Sequence, residues 1–231
     1  MAAVALHTRR WGAASAPSAP GALPPALLLH ATGETSADWA PVAEGLATDR
    51  LVVAVDLRGH GSSPWPGSYA LTALTDDVEA VAADLATRHG RPVDLVAHSL
   101  GGLVACLLAS RRPELVRRLV LEDVPVPHPR EPRPPTRPEG DLTFDWEAVL
   151  QVRAQIDEPD PGWPQVVAGV RAPALVVWGG PSSPMPAEHV REMAETVVDG
   201  RLVRIDAGHL VHAAQPAAFT AVVRGFLSLP D

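Results

Sequence analysis

The sequence predicts an α/β protein, in which helices cover both faces of a mostly parallel sheet. Short and almost wholly apolar runs alternate with helical patterns along the 231 residues. That alternation is typical of strands buried on both faces. With 46% apolar and 20% charged residues, the chain has the composition of a globular protein and the length of one domain.

Seven short runs have the length and apolar content of strands. They are Val4–Trp11, Ala26–His30, Leu51–Asp56, Val93–Ala97, Leu119–Glu122, Ala174–Trp178 and Leu202–Ile205. Six longer stretches repeat apolar residues at helical spacing. They are Trp39–Ala47, Leu74–His89, Gly101–Arg111, Phe144–Ile156, Pro186–Thr196 and Pro216–Leu227. A further stretch, Ala13–Pro25, is rich in small residues and proline and is predicted to be a loop or hairpin connection.

One segment breaks the alternation between the fifth and sixth predicted strands. Proline and arginine crowd residues 125–140, so this part cannot hold a regular ladder of hydrogen bonds. The predicted helix Phe144–Ile156 follows, and the sheet resumes at Ala174. We therefore expect a single domain over residues 1–231, with a small cap or lid excursion over residues 124–170.

Composition and charge exclude several classes of function. The net charge of −8 argues against nucleic acid as the main partner. No apolar run reaches the about eighteen residues that a membrane span needs. Arg9 and Arg10 follow the first apolar residues, whereas a secretory signal has its positive charge first, so we expect a cytoplasmic protein. The single cysteine, Cys106, excludes an internal disulfide and a cysteine-based zinc site, and its apolar helix predicts an inert thiol.

The segment Ala97-His98-Ser99-Leu100-Gly101 joins a predicted strand to a predicted helix. A serine between small residues at such a junction is typical of a nucleophile held on a sharp turn. The small residues let the strand and the helix approach closely, and the new helix directs free N–H groups to the place where an oxyanion would form. We predict Ser99 to be a catalytic nucleophile.

A serine nucleophile needs a base, and His209 is the candidate. It follows the last predicted strand, so it lies at the carboxyl edge of the sheet, from which Ser99 also emerges. His98 adjoins the nucleophile, but as a turn residue it should point away from it. His212 is predicted to be a supporting residue of the loop that carries His209.

Four motifs in order resemble the α/β-hydrolase family over nearly the whole chain. They are Leu29-His30-Ala31-Thr32-Gly33, Asp56-Leu57-Arg58-Gly59-His60-Gly61-Ser62-Ser63, the Ser99 segment with Gly102, and Gly208-His209. The resemblance implies the α/β-hydrolase fold with a serine nucleophile, because the branches that cleave epoxides and carbon–halogen bonds have a carboxylate there. It also implies an oxyanion hole formed by the backbone N–H groups of Leu100 and Thr32, with no cofactor and no metal ion.

The resemblance leaves the acid of the triad open. The family most often has its acid after the penultimate strand, where this chain has Ser182, which cannot carry the charge. Some members have the acid after the preceding strand, and Asp123 matches that position. Glu122 should point elsewhere by strand alternation, and Asp206 is expected to cap a loop. We therefore favour Asp123, and an impaired triad is the alternative.

The predicted helix over residues 144–156 bears on specificity. Trp146 and Arg153 are seven residues apart and share a face. If that face looks onto Ser99, Trp146 lines the pocket and Arg153 meets an anionic substrate. The alternative is an amphipathic helix that packs Trp146 against the domain.

These residues predict a cofactor-free serine hydrolase, esterase-like, that acts on a small ester or related carbonyl compound. Two alternatives stay open. One is a catalytically impaired hydrolase-fold protein that binds a ligand, and the other is a lyase or C–C bond hydrolase that uses the same site. Neither the substrate nor the oligomeric state follows from the sequence.

Overall fold

A seven-stranded sheet forms the centre of the chain in a computed structural model, which describes residues 3–12 and 23–230. The strands are β1 (Thr8–Trp11), β2 (Ala26–Leu29), β3 (Val52–Val55), β4 (Val93–His98), β5 (Val116–Glu122), β6 (Ala174–Trp178) and β7 (Gly200–Arg204). Their order across the sheet is β1-β3-β2-β4-β5-β6-β7. β1 runs antiparallel to β3, and every other neighbouring pair is parallel. The predicted α/β class with a mostly parallel sheet is confirmed.

The helices are α1 (Ala40–Leu46), α2 (Leu71–His89), α3 (Leu100–Arg111), α4 (Trp146–Asp157), α5 (Trp163–Ala168), α6 (Ala187–Thr196), α7 (Val211–Ala214) and α8 (Pro216–Leu227), with a 3₁₀ turn at Pro113–Leu115. All six predicted helices are present. The sequence did not predict α5 or α7, which have six and four residues. Such short helices contain too few turns to display a helical period.

Two apolar clusters pack on opposite faces of the sheet. Alternate residues of the five central strands, β2 to β6, divide between them, as Leu27 and Leu28 of β2 do. Helices α2 to α6 cover one face, whereas α1, α7 and α8 cover the other. Cys106 is fully buried in the first cluster, and this burial raises the pKa of its thiol to about 12. The predicted packing of the thiol is confirmed, and its inertness stays a prediction.

The first strand is shorter than predicted, because the N–H groups of Val4 and His7 bond to side chains of α2 and of the loop after β3 rather than to the sheet. The Val4 N–H donates to Asp77 at 2.7 Å, and the His7 N–H donates to Ser63 Oγ at 2.8 Å. Only residues 8–11 pair with β3. The loop predicted for residues 13–25 lies mostly outside the described residues, since 13–22 are among those not described.

The excursion segment, residues 124–170, leaves the sheet after β5 and contains α4 and α5. Its first part, 124–142, has neither helix nor strand, as its proline content predicts. A role of this segment as a cap stays a prediction. No helix in the described ranges 3–12 and 23–230 is long and apolar enough to cross a bilayer.

The strand register positions the functional loops. His98 at the end of β4 pairs with Glu122 at the end of β5, and Glu122 pairs with Val177 of β6. The residues that follow these strands, Ser99 and Asp123, are therefore neighbours at the carboxyl edge. Ligands and catalytic groups of open α/β sheets gather at this edge.

Candidate active site

Ser99 lies on a strained turn between β4 and α3. Its φ of 47° and ψ of −111° fall outside the regions that residues with a side chain ordinarily adopt. The turn is pressed against the end of β2: a Cβ on Gly101 would lie 2.5 Å from the Leu29 carbonyl oxygen and 2.8 Å from that of His30. The sequence predicted that a small residue at 101 lets the strand and the helix approach closely, and this close approach is present.

His209 follows β7 in a loop that is held against the loop after β6. Gly208 has a φ of 76°, and the N–H groups of Ala207 and Gly208 donate to the Gly179 carbonyl oxygen at 3.0 and 2.9 Å. This arrangement directs His209 Nδ1 to the Oδ2 atom of Asp123, 2.7 Å away. The imidazole is 26% exposed, whereas the Asp123 side chain is fully buried.

Asp123 follows β5 and has a φ of 52°. In the described ranges, Ser99 and Asp123 are the two non-glycine residues with positive φ. Such strain gathers at functional sites, where the surrounding structure must maintain it. Besides His209, the carboxylate accepts hydrogen bonds from the Gly179 N–H at 3.0 Å and from Ser183 Oγ at 2.5 Å. Its two oxygens are thus fixed by three donors.

The other acid candidates have different partners. Glu122 accepts a hydrogen bond from the His212 backbone N–H at 2.8 Å, and Asp206 pairs with Arg204 at 2.6 Å. Glu122 therefore points elsewhere, as predicted. Ser182 is exposed, and its neighbour Ser183 donates to Asp123 instead. The sequence analysis did not single out Ser183, although its place beside the family's usual acid position was a usable signal.

The loop after β2, where Thr32 lies, is fixed by His30. Its Nε2 accepts a hydrogen bond from the Leu57 N–H at 2.9 Å, so Nδ1 carries the proton and donates to the Ala31 carbonyl oxygen at 2.7 Å. Burial lowers the pKa of His30, and the ring is therefore neutral. Glu34 closes the loop on itself, because its Oε2 accepts from the Ala31 N–H at 2.9 Å. Thr32 is half-buried within this loop.

Glu34 also joins this loop to the residue before the nucleophile. Its Oε2 lies 3.1 Å from His98 Nδ1. Burial alone would raise the pKa of Glu34, but the hydrogen bond and the charge of His98 outweigh it and lower the pKa to about 2. Burial alone would lower the pKa of His98, yet the charges of Glu122 and Glu34 raise it. The ion pair between Glu34 and His98 thus connects the loop of Thr32 to the turn before Leu100, and these two segments are expected to form the oxyanion hole.

The sequence predicted that His98 points away from the nucleophile, but its ring lies beside that of His209. Its ring centroid lies 4.6 Å from that of His209 and 5.2 Å from that of His212. His212 belongs to α7, where its ring stacks on Trp39 with centroids 4.3 Å apart. Its Nδ1 lies 2.9 Å from Glu122 Oε2. The two histidine–carboxylate pairs, His98 with Glu34 and His212 with Glu122, therefore lie side by side, and His98 adjoins His209.

Phe144, two residues before α4 begins, lies next to the loop that carries Thr32. A Cβ on Gly33 would lie 3.5 Å from the Phe144 ring, and that ring stacks on His60 with centroids 5.9 Å apart. The sequence analysis missed Phe144 as a site residue. Trp146 and Arg153 are both half-buried, and among the described residues no side-chain hydrogen bond or ion pair given by the structure joins either of them to Ser99.

The comparison with known proteins decides the family. Residues 24–140, just over half of the chain, match the family model described as alpha/beta hydrolase fold. The chain belongs to the α/β-hydrolase family. The order of strands, the turn at Ser99 and the loop at His209 fit this assignment.

Relatives of this α/β-hydrolase are named as lipases and esterases. The sn-1-specific diacylglycerol lipase ABHD11 of Mus musculus is 25% identical over 253 residues, which cover 89% of this chain and 81% of that protein. The pimeloyl-[acyl-carrier protein] methyl ester esterase of Chromobacterium violaceum is 40% identical over 128 residues, 55% of this chain and 46% of that protein. The enol-lactonase from Burkholderia xenovorans LB400 shares the fold, with a TM-score of 0.78, 23% identity and coverage of 97% and 96% of the two chains. The protein is a hydrolase of this fold.

Proposed function

We propose that the protein is a cofactor-free serine esterase that cleaves a small carboxylic ester or related carbonyl compound. Ser99, His209 and Asp123 are its catalytic triad. The observation that carries the proposal is the 2.7 Å contact between His209 Nδ1 and the fully buried Asp123 carboxylate. The relatives named as lipase and esterase support ester cleavage over the other reactions of the fold.

The mechanism follows from the direction of that contact. With Nδ1–H donating to Asp123, the Nε2 atom of His209 is left to accept the proton of the Ser99 hydroxyl. The alkoxide attacks the carbonyl carbon, and the imidazolium then returns the proton to the leaving alcohol. Water attacks the acyl-enzyme with His209 again as base, which releases the acid and restores Ser99.

The oxyanion of each tetrahedral intermediate is assigned to the backbone N–H groups of Leu100 and Thr32. Leu100 is the first residue of α3, so its N–H is one of the helical donors without an intrahelical partner. The bonds of His30 and Glu34 within the second loop support a preorganised donor at Thr32. Such a donor typically contributes about 3–4 kcal/mol of transition-state stabilisation.

Substrate contacts are assigned to Trp146 and Arg153. Ala148 packs toward Gly59, where a Cβ on the glycine would lie 3.1 Å from it. Trp146 and Arg153 lie on the other side of α4, away from that contact. Phe144, which precedes α4, adjoins the loop of Thr32, and this supports assigning that side of α4 to the acyl or alcohol part of a substrate, with Arg153 selecting an anionic one.

The serine at position 182 suggested an impaired, ligand-binding protein. The Asp123 carboxylate next to His209 supplies the charge that Ser182 lacks, so the serine at 182 is no longer a reason to favour the impaired protein. Lyase or C–C bond hydrolysis would use the same site, and product analysis distinguishes it from ester cleavage.

A fluorophosphonate probe and a panel of p-nitrophenyl esters, lactones and diketones test the proposal. We expect the probe to label Ser99, and Ser99→Ala to lose both labelling and ester turnover. Ser182→Ala is the matched control and should be labelled like the wild type. A folded wild-type protein without labelling would refute the nucleophile, and turnover confined to diketones would refute the esterase.

A further inference from the structure

A cluster of side chains that can ligate a metal ion lies where the excursion segment meets α6, and it shares no residue with the proposed triad. It consists of His128 from the excursion segment and of His189 and Glu192 from α6. His128 Nε2 lies 2.7 Å from Glu192 Oε2, and the centroids of the two imidazole rings are 4.3 Å apart. One ligand atom from each residue lies within 4.8 Å of the others.

We propose that His128, His189 and Glu192 bind a divalent transition-metal ion, zinc above all, which fastens the excursion segment to α6. Two imidazoles and one carboxylate are ligands that zinc accepts, whereas magnesium and calcium prefer oxygen ligands alone. The sequence analysis expected no metal site. Nothing in the sequence signals this one, because His128 and His189 are 61 residues apart along the chain.

The geometry fits a tetrahedral ion after small movements. With metal–ligand bonds of about 2.0–2.1 Å, ligand atoms stand roughly 3.3–3.4 Å apart. The present pair at 2.7 Å opens slightly, and the ion replaces the proton between His128 and Glu192. His189 and Glu192 are three residues apart, so they lie on one face of α6. The fourth position is left to water, because the side chains of His128 and Glu192 are each 40% exposed.

The backbone already holds these ligands in place. Val126, two residues before His128, is buried, and its N–H donates to the His189 carbonyl oxygen at 3.1 Å. Arg130, two residues after His128, donates from its N–H to the Asp157 carbonyl oxygen at 3.0 Å and pairs with the Asp157 carboxylate at 2.6 Å. Since His128 lies between two anchors, little conformational entropy remains to be lost when a metal binds.

Within residues 3–12 and 23–230 one other cluster of this kind is present, Glu34, His98 and His212, and it is less suited to a metal ion. Glu34 already accepts hydrogen bonds from Ala31 and His98, and Glu122 holds His212. His98 and His212 are buried, so an ion would have to displace an existing ion pair inside the protein. The His128 cluster is open to solvent and does not depend on the proposed esterase activity.

Calorimetric titration with zinc tests the site, on protein without a polyhistidine tag and stripped with a chelator. We expect one equivalent to bind. Since even outer-shell partners contribute about 10–100-fold to metal affinity, His128→Ala, His189→Ala and Glu192→Gln should each cost at least about tenfold. The matched controls His89→Ala and Glu195→Gln, which remove like groups outside the cluster, should bind as the wild type does. The proposal would be overturned if zinc does not bind, or if it still binds in all three ligand variants. It would also be overturned if binding is lost only in Glu34→Gln, which alters the cluster of Glu34, His98 and His212.

Limited trypsin digestion tests the fastening. Arg130 is the only arginine between residues 124 and 152 that proline does not follow, and the chain has no lysine, so trypsin has one cleavable bond there. Zinc should slow cleavage after Arg130 in the wild type and leave the rate in His128→Ala unchanged. The variant at the same zinc concentration corrects for any effect on trypsin itself. Equal slowing in both proteins, or none in the wild type, would overturn the fastening.

Discussion

Replacement of Asp123 by asparagine tests the proposed triad at the residue that the sequence left most open. The carboxylate accepts from Gly179 N–H at 3.0 Å, from Ser183 Oγ at 2.5 Å and from His209 Nδ1 at 2.7 Å. An asparagine offers one acceptor and one donor group in the same space. Its orientation therefore decides the tautomer of His209.

The Gly179 N–H cannot turn, so the amide oxygen of the asparagine must face it. The opposite orientation would leave a buried N–H unpaired, at a cost of about 1–3 kcal/mol. The amide nitrogen then faces His209 Nδ1, which must accept a hydrogen bond and thus moves the imidazole proton to Nε2. In that tautomer His209 cannot accept the proton of Ser99. A wrong tautomer in a Ser-His-Asp triad lowers kcat about 10⁴-fold, or roughly 5 kcal/mol.

Steady-state hydrolysis of a p-nitrophenyl ester measures the effect. We expect Asp123→Asn to lower kcat about 10⁴-fold while the protein stays folded by circular dichroism. Glu122→Gln is the matched control, since Glu122 is equally buried, adjacent in sequence and bound to His212. It should destabilise the protein but retain most of kcat. A kcat of Asp123→Asn within tenfold of the wild type would refute the assignment of the acid.

Three further predictions concern the loops around Ser99 and the substrate. In Glu34→Gln, loss of stability in urea titrations should be largest between about pH 4.5 and 6.5. The lowered pKa of Glu34 contributes stability that is lost as pH falls toward 2. The raised pKa of His98 contributes stability that is lost as pH rises through the pKa of the folded state. A loss of unfolding free energy in Glu34→Gln that is equal at all pH values would contradict this prediction. Gly101→Ala should cost about 1–3 kcal/mol of unfolding free energy and slow turnover, because its Cβ meets backbone atoms at 2.5 Å, and an unchanged melting temperature would count against it. Arg153→Ala should raise KM for anionic esters only, and equal shifts for neutral esters would exclude the proposed charge contact.

Much of the site followed from local patterns. The turn residues around Ser99, the loop of His209 and the alternation of apolar runs are all short-range features, so the sequence predicted the fold class and the sharp turn at Ser99. Asp123 was favoured because it matches the position after the preceding strand at which some family members have their acid. Short elements such as α5 and α7 carried no periodic signal, and tertiary packing alone stabilises them.

Other contacts depend on chain segments that are far apart in sequence. Ser183 reaches Asp123 across 60 positions, and Glu34 reaches His98 across 64. No periodicity encodes such pairs, since they arise only when the strand order brings separate loops to one edge. The half-exposed cluster of His128, His189 and Glu192 has the same origin.

The sequence by itself determined that this chain is an α/β-hydrolase with a serine on a strained turn and a histidine after its last strand. Those features depend on residues adjacent along the chain, where backbone geometry and small side chains act directly. Only the tertiary structure decided which carboxylate faces His209 and what holds it there. Such a choice depends on the register of β4, β5 and β6 and on the directions of buried side chains, which no single segment encodes.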